Sequence, residues 1–176
     1  MFFVILKNEF VDSIKMSDET KQVTKELKDK NGVVRFRSQE VDGVKHGLTE
    51  IFDSDGKLKE SCEYCNGKKH GLWQSYNFNK LASECVYVKG LKQGVKSIIS
   101  GSIRIEVHFV NDVCHLETEY CNGTLTYRFE RLGDQECGLQ ECFHANGNIQ
   151  SRYIATPEGD HINMQIFDEN GKRIGN

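Results

Sequence analysis

Apolar and polar residues alternate in short runs along most of the chain, and the runs return at a regular interval. Leu48-Thr49-Glu50-Ile51-Phe52 and Leu72-Trp73-Gln74-Ser75-Tyr76 are two such runs. A second set comprises Leu58 to Tyr64, Leu81 to Tyr87, Ile103 to Phe109, Leu125 to Arg131 and Ile149 to Ala155. Alternation with period two predicts strands with one face turned inward, because successive side chains of a strand point to opposite sides. Within the returning strands Leu58, Cys62 and Tyr64 are predicted to share a face, as are Leu81, Cys85 and Tyr87, and Ile103, Val107 and Phe109. The opposite face then carries Lys59, Ser61 and Glu63, or Arg104, Glu106 and His108, or Thr126, Arg128 and Glu130. On this reading one side of the sheet is apolar and the other charged.

Turn signals separate the runs. Asn31-Gly32, Asp55-Gly56, Ser100-Gly101, Asn122-Gly123, Asn146-Gly147 and Asn170-Gly171 recur, with Phe78-Asn79 in the remaining place, at intervals of 21 to 25 residues. Between them lies Gly-x-x-x-Gly, at Gly43–Gly47, Gly67–Gly71 and Gly90–Gly94, with weaker versions near Asn111, Asp134 and Gly159. Each unit reads as turn, strand, turn, strand, and a fixed period of this kind is the mark of a repeat array. Turn lengths keep an aromatic–aliphatic pair at each hairpin end. The three-residue loops Ser54-Asp55-Gly56 and Ala145-Asn146-Gly147 set Phe52 against Leu58 and Phe143 against Ile149. The two-residue turns Phe78-Asn79 and Asn122-Gly123 set Tyr76 against Leu81 and Tyr120 against Leu125. The same count places Leu48 opposite Cys62, Glu50 opposite Glu60, Gln74 opposite Ser83 and Glu141 opposite Ser151.

The predicted fold is all-β: tandem β-hairpins side by side in one elongated, twisted, single-layer antiparallel sheet over residues 31–176, behind a capping segment at residues 1–30. Twelve to fourteen strands at the usual spacing give a sheet roughly 55–65 Å long. In the capping segment Phe2 to Leu6 reads as a strand and Ser17-Asp18-Glu19 as a helix start. Val23 and Leu27 would then form a short helical stripe. Such a cap would shield the first sheet edge, with docking of a partner as its alternative role.

Composition sharpens this picture. Sixteen glycines and one proline suit a chain of many tight turns. The 23 basic and 26 acidic residues leave a formal charge of −3, which argues against a nucleic-acid binder. Seven cysteines, an odd number in no disulfide-framework spacing, point to a reducing cytoplasmic compartment. The five apolar residues from Phe2 to Leu6 are too few for a signal core or a membrane span.

The text Gly-x-Lys-His-Gly-Leu, then an aromatic, then Asp/Asn-Gly-x-Leu resembles the MORN repeat. The match is to the variant found in antitoxin-like bacterial proteins and multiplied in some giant viruses, and it runs from about Asn31 to the C-terminus. The resemblance implies a non-enzymatic scaffold: a protein-interaction module, or a structural subunit such as one of a virion. An antitoxin-like inhibitor and a peripheral membrane-lipid scaffold are the alternatives it implies. The scattered charges of Lys59, Glu63, Glu84, Arg104, Glu106, Arg128 and Glu130 offer no basic patch for lipid headgroups.

Candidate chemistry is thin. His46, His70 and His161 share a column with Gln93 and Cys137, but neighbours there stand roughly 9–10 Å apart, too far to ligate one metal. Packing on Tyr64 or Tyr87 with a bond to a backbone carbonyl is the expected role of these rings. Cys62-x-x-Cys65 has a metal-like spacing, but positions three apart on a strand face opposite sides. A Glu50–Glu60 pair would be a possible acid–base couple without a nucleophile or phosphate loop beside it. No catalytic, metal or cofactor-binding residue and no small-molecule substrate is therefore expected. The expected partner is another protein or a second copy, engaged through Leu48, Phe52, Leu72, Tyr76, Tyr87 and Phe109, with Trp73 as an anchor from the polar face.

Overall fold

The computed structural model describes residues 21–176. These residues form fourteen strands, each antiparallel to the one before it, in a single open sheet whose spatial order is the chain order. The strands are β1 (Gln22–Lys28), β2 (Val34–Val41), β3 (Val44–Phe52), β4 (Leu58–Cys65), β5 (Lys68–Asn77), β6 (Lys80–Val88) and β7 (Leu91–Ser100). They continue as β8 (Ile103–Val110), β9 (Val113–Cys121), β10 (Thr124–Leu132), β11 (Gln135–Phe143), β12 (Ile149–Ala155), β13 (His161–Phe167) and β14 (Arg173–Gly175). The expected all-β hairpin meander is the observed fold, and no helix occurs among the described residues. The expected strand at Phe2–Leu6 and helix start at Ser17–Glu19 lie outside them. Val23 and Leu27 stand in β1, paired with Glu40 and Phe36, and not on a helical stripe.

Turn chemistry sets the hairpins. At one sheet margin Asp42-Gly43, Asn66-Gly67 and Lys89-Gly90 all have positive φ, the geometry of a two-residue turn whose twist matches that of its strands. At the other margin an aspartate often closes a longer loop. Asp53 Oδ1 accepts the N–H groups of Asp55 and Lys57 at 2.9 Å each, and Asp29 and Asp168 do the same in their loops. The lysine N–H holds the Asp53 carboxyl below its ordinary value.

The hairpin-end pairs Phe52–Leu58, Tyr76–Leu81, Tyr120–Leu125 and Phe143–Ile149 are all present. The register beyond them departs from expectation. One strand of each pair carries an extra residue: Lys59, Ala82, Thr126 and Gln150 are passed over between consecutive pairs. A bulge puts two residues against one and reverses facing parity along its strand. Leu48 therefore opposes Glu63, Glu50 opposes Ser61, Gln74 opposes Glu84 and Glu141 opposes Arg152. Leu58 and Leu81 accordingly face away from Cys62, Tyr64, Cys85 and Tyr87. The β7–β8 hairpin has no bulge, and there Ile103, Val107 and Phe109 do share a face.

The sheet thus has two mixed faces. One, the inner face, holds most of the buried side chains: Ser38, Thr49, Cys62, Ser83, Cys85, Cys114, Gln140 and Ala155. Most of these residues are small, and Gln140 is the largest of the fully buried ones. The outer face carries a polar row across the sheet, from Glu26 through Arg37, Glu50, Ser61, Gln74, Glu84, Ser97, Glu106, Thr118, Arg128, Glu141 and Arg152 to Gln165.

Candidate interaction surfaces

The residues expected to bind a partner divide between the two faces. Leu48, Phe52, Leu72 and Tyr76 lie on the outer face, while Trp73, Tyr87 and Phe109 lie on the inner one. The single apolar face anticipated for them does not exist, because the bulges interrupt its parity.

On the inner face the aromatic rings already have partners. Lys45 sits over Phe36 and Tyr64 at 5.1 and 4.9 Å, Lys69 over Trp73 and Tyr87 at 5.6 and 5.0 Å, and Lys92 over Phe109 at 4.9 Å. Each lysine thus lies against the rings, a cation–π arrangement repeated from hairpin to hairpin. Trp73 shares its face with Cys62 and Cys85, and its indole N–H donates to Glu60 at 2.6 Å. Burial pushes the thiols of Cys62, Cys85 and Cys114 above their ordinary value, which lowers their thiolate fraction and their reactivity.

The outer polar row consists of cross-strand links. Arg37 bonds Glu26 at 2.9 Å and Glu50 at 3.0 Å, Gln74 bonds Glu84 at 3.2 Å, and Arg152 bonds Gln165 at 2.8 Å. Glu141, nearly buried, pairs with Arg128 at 2.5 Å. Opposite charges side by side stitch neighbouring strands and leave no field of one sign. The Glu50–Glu60 couple considered as an acid–base pair is not formed, because these residues point to opposite faces.

The histidine column joins one hairpin to the next. His46 Nδ1 lies 3.3 Å from Asn66 Oδ1, His70 Nδ1 accepts the Lys89 N–H at 3.4 Å, and Gln93 donates to Asn111. These contacts reach the following turn and not the expected backbone carbonyl. His161 does stack on an aromatic ring, that of Tyr153, with centroids 4.3 Å apart. Cys62 and Cys65 face opposite sides, as strand parity required. Among the described residues no group of three His, Cys, Asp or Glu side chains is placed to hold a metal.

A surface that sequence reasoning assembled only in part runs along the Gly-x-x-x-Gly margin of the outer face. Leu72 pairs with Val86, Val88 with Leu91 and Val110 with Val113, while Val95 stands beside His108. Each of these aliphatic side chains is between 38% and 54% exposed. Leu48 and Val44, with 39% and 47% exposed, continue the stripe beyond β4. The signal was the aliphatic residue directly after a turn glycine, as at Val44, Leu48, Leu72, Leu91 and Val95, but its facing could be read only with the bulges placed.

That margin is held in shape by a device present in three hairpins. The second glycine of the motif lies at a bulge: Gly47, Gly71 and Gly138 have φ of +100°, +99° and +94°. A side chain from the preceding strand crosses each glycine to accept the next N–H. Gln39 takes that of Leu48 at 2.8 Å, Glu63 that of Leu72 at 3.3 Å, and Glu130 that of Leu139 at 2.7 Å. A Cβ on the glycine would occupy the carboxylate or amide oxygen's place. Where Val86 replaces the acid or amide, Gly94 has open space beside it.

Residues 45–66 and 136–153 match the family model described as a MORN repeat variant. No curated protein matches the chain. The first matched segment covers most of the β3–β4 hairpin and the second most of β11–β12. Both have the three-residue loop, the bulge after the aromatic–aliphatic pair and the crossed glycine. Sequence and geometry agree at both places, and these two segments are similar to the MORN repeat variant.

Proposed function

We propose that this chain is a non-enzymatic interaction module that docks a protein partner through the exposed aliphatic stripe of its outer face. MORN repeats as a family act as modules for protein or membrane interaction, which supports the class of function. The observation that carries the finer reading is the stripe from Leu72 to Val113, a run of half-exposed aliphatic side chains on five consecutive strands. Seven such side chains leave on the order of 450 Å² of apolar surface in water, the size of a typical monomer's largest patch, which is often functional. Covering it is worth roughly 11 kcal/mol at about 25 cal/mol per Å², before association costs of comparable size. Charge is compensated along the outer row, which favours a partner recognised there by shape and apolar contact over an anionic surface.

The test is affinity capture from the native source, followed by reconstitution with the purified partner. Leu72→Glu and Val88→Glu should each remove the partner, because a charge in a desolvated patch loses its water without gaining a counterion. Lys45→Glu, on the inner face, should leave binding intact. Salt-sensitive binding to anionic vesicles that survives Leu72→Glu and is lost in Lys45→Glu would replace this reading with a lipid one.

A further inference from the structure

The two-residue turn between β5 and β6 departs from its counterparts in a way that points outward. Phe78 and Asn79 both have positive φ, +50° and +62°. Glycine, asparagine or aspartate take this left-handed conformation at low cost, whereas a bulky aromatic side chain is rarely found there. Phe78 is also 99% exposed, against 64% or less for every other exposed large hydrophobic residue among those described. The turn therefore holds a phenyl ring wholly in water on a backbone that other residues fit better. Outliers of this kind are where function is to be sought.

The same sheet margin has clefts between successive hairpin ends, and two of them differ in chemistry. The cleft beside Phe78 is bordered by Asp53, Asp55, Lys57 and Lys59, together with Leu58 and Tyr76. Its counterpart at the far end of the array is about 310 Å³ and is lined by Gly147, Asn148, Ile149, Arg152, Phe167 and Gly171. There Ile149 and Phe167 keep the aliphatic and aromatic places, while Gly147, Asn148, Gly171 and Arg152 leave the cleft without a carboxylate or a lysine. The Arg152 guanidinium lies 5.5 Å over the Phe167 ring, so a second ring entering the cleft meets apolar walls and a cation suited to an aromatic face.

Phe78 and this cleft are about seven strands apart, roughly 30 Å at the usual spacing, so the ring cannot fill the cleft of its own chain. We infer that Phe78 of one copy inserts between the last two hairpin loops of a second copy, giving head-to-tail self-association. The contact joins two different patches of the same chain, so each added copy leaves one Phe78 and one cleft open. It lies at the margin opposite the aliphatic stripe and is independent of the docking proposed there.

Sedimentation velocity of the full chain, from low micromolar to hundreds of micromolar, tests this. The average mass should rise with concentration. Phe78→Gly should weaken association at least tenfold while raising the thermal midpoint, since glycine accepts the left-handed turn. Ile149→Glu, checked for folding by its circular dichroism, should also leave a monomer. Mixing the two variants should restore association but stop at a 1:1 dimer, because only one Phe78 and one open cleft remain between them. A chain that stays monomeric throughout overturns the inference, as does a Phe78→Gly variant that associates like the parent. A mixture that remains monomeric, although the parent associates, would show that Phe78 does not enter the cleft.

Discussion

Replacing Gly71 with alanine adds a single methyl group, yet the structure places two separate penalties on it. The first is backbone strain: at φ +99° an L-residue is forced beyond the usual left-handed well, at a cost of about 1–2 kcal/mol. The second is displacement of Glu63. An ideal Cβ would stand 1.8 Å from Glu63 Oε2 and 2.9 Å from its Cδ, so the carboxylate must swing away. It then gives up the Leu72 N–H, a bond to a charged acceptor at an exposed site worth roughly 1 kcal/mol. The sum is about 2–3 kcal/mol. Gly90 supplies the control, with φ +95° and nothing within 4 Å of its Cβ position. Gly90→Ala should therefore cost only the strain, about 1–2 kcal/mol. Urea denaturation followed by circular dichroism measures both. Glu63→Ala completes a cycle: with the acid gone, adding Gly71→Ala should cost no more than Gly90→Ala does, a coupling of about 1 kcal/mol. Equal losses for Gly71→Ala and Gly90→Ala, or strict additivity of Gly71→Ala with Glu63→Ala, would refute the crossing side chain as the reason for the glycine.

Two further outcomes follow from the inner face. The phenol of Tyr127 is pushed up to about 12 by burial and by the charges of Glu119 and Glu117, and its ring stacks on Phe129 with centroids 4.5 Å apart. Below pH 10 the folded and unfolded chains both keep this proton; between pH 10 and about 12 only the folded chain does, so stability falls with rising pH across that window. Tyr127→Phe should flatten the loss, seen as a higher alkaline midpoint than the parent's. Cys62, Cys85 and Cys114, at 3%, 1% and 7% exposure with raised thiols, should react with iodoacetamide only after unfolding, while Cys65, Cys121, Cys137 and Cys142 label faster in the native protein. Mass-spectrometric mapping of labelled peptides distinguishes the two groups.

The amino-acid sequence determined the hairpins because the information there is local. Turn dipeptides require positive φ, and the residues flanking each turn must pair whatever the rest of the sheet does. Phe52–Leu58, Tyr76–Leu81, Tyr120–Leu125 and Phe143–Ile149 were therefore legible, as was the antiparallel meander that their succession builds. Facing was not legible beyond those pairs. A bulge at Lys59 or Ala82 adds one residue with no change of composition to announce it, and one residue is enough to turn Leu58 away from Cys62. For the same reason the expected apolar face separated into Leu48, Phe52, Leu72 and Tyr76 on one side and Trp73, Tyr87 and Phe109 on the other. The role of Glu63 over Gly71 needed the tertiary structure as well, because its distance from that glycine along the chain, eight residues, matters only once a turn folds one strand back on the other. Local backbone preferences are written in the residues themselves. Which side of a single-layer sheet a side chain occupies depends on cumulative register, and only the assembled strands settle that.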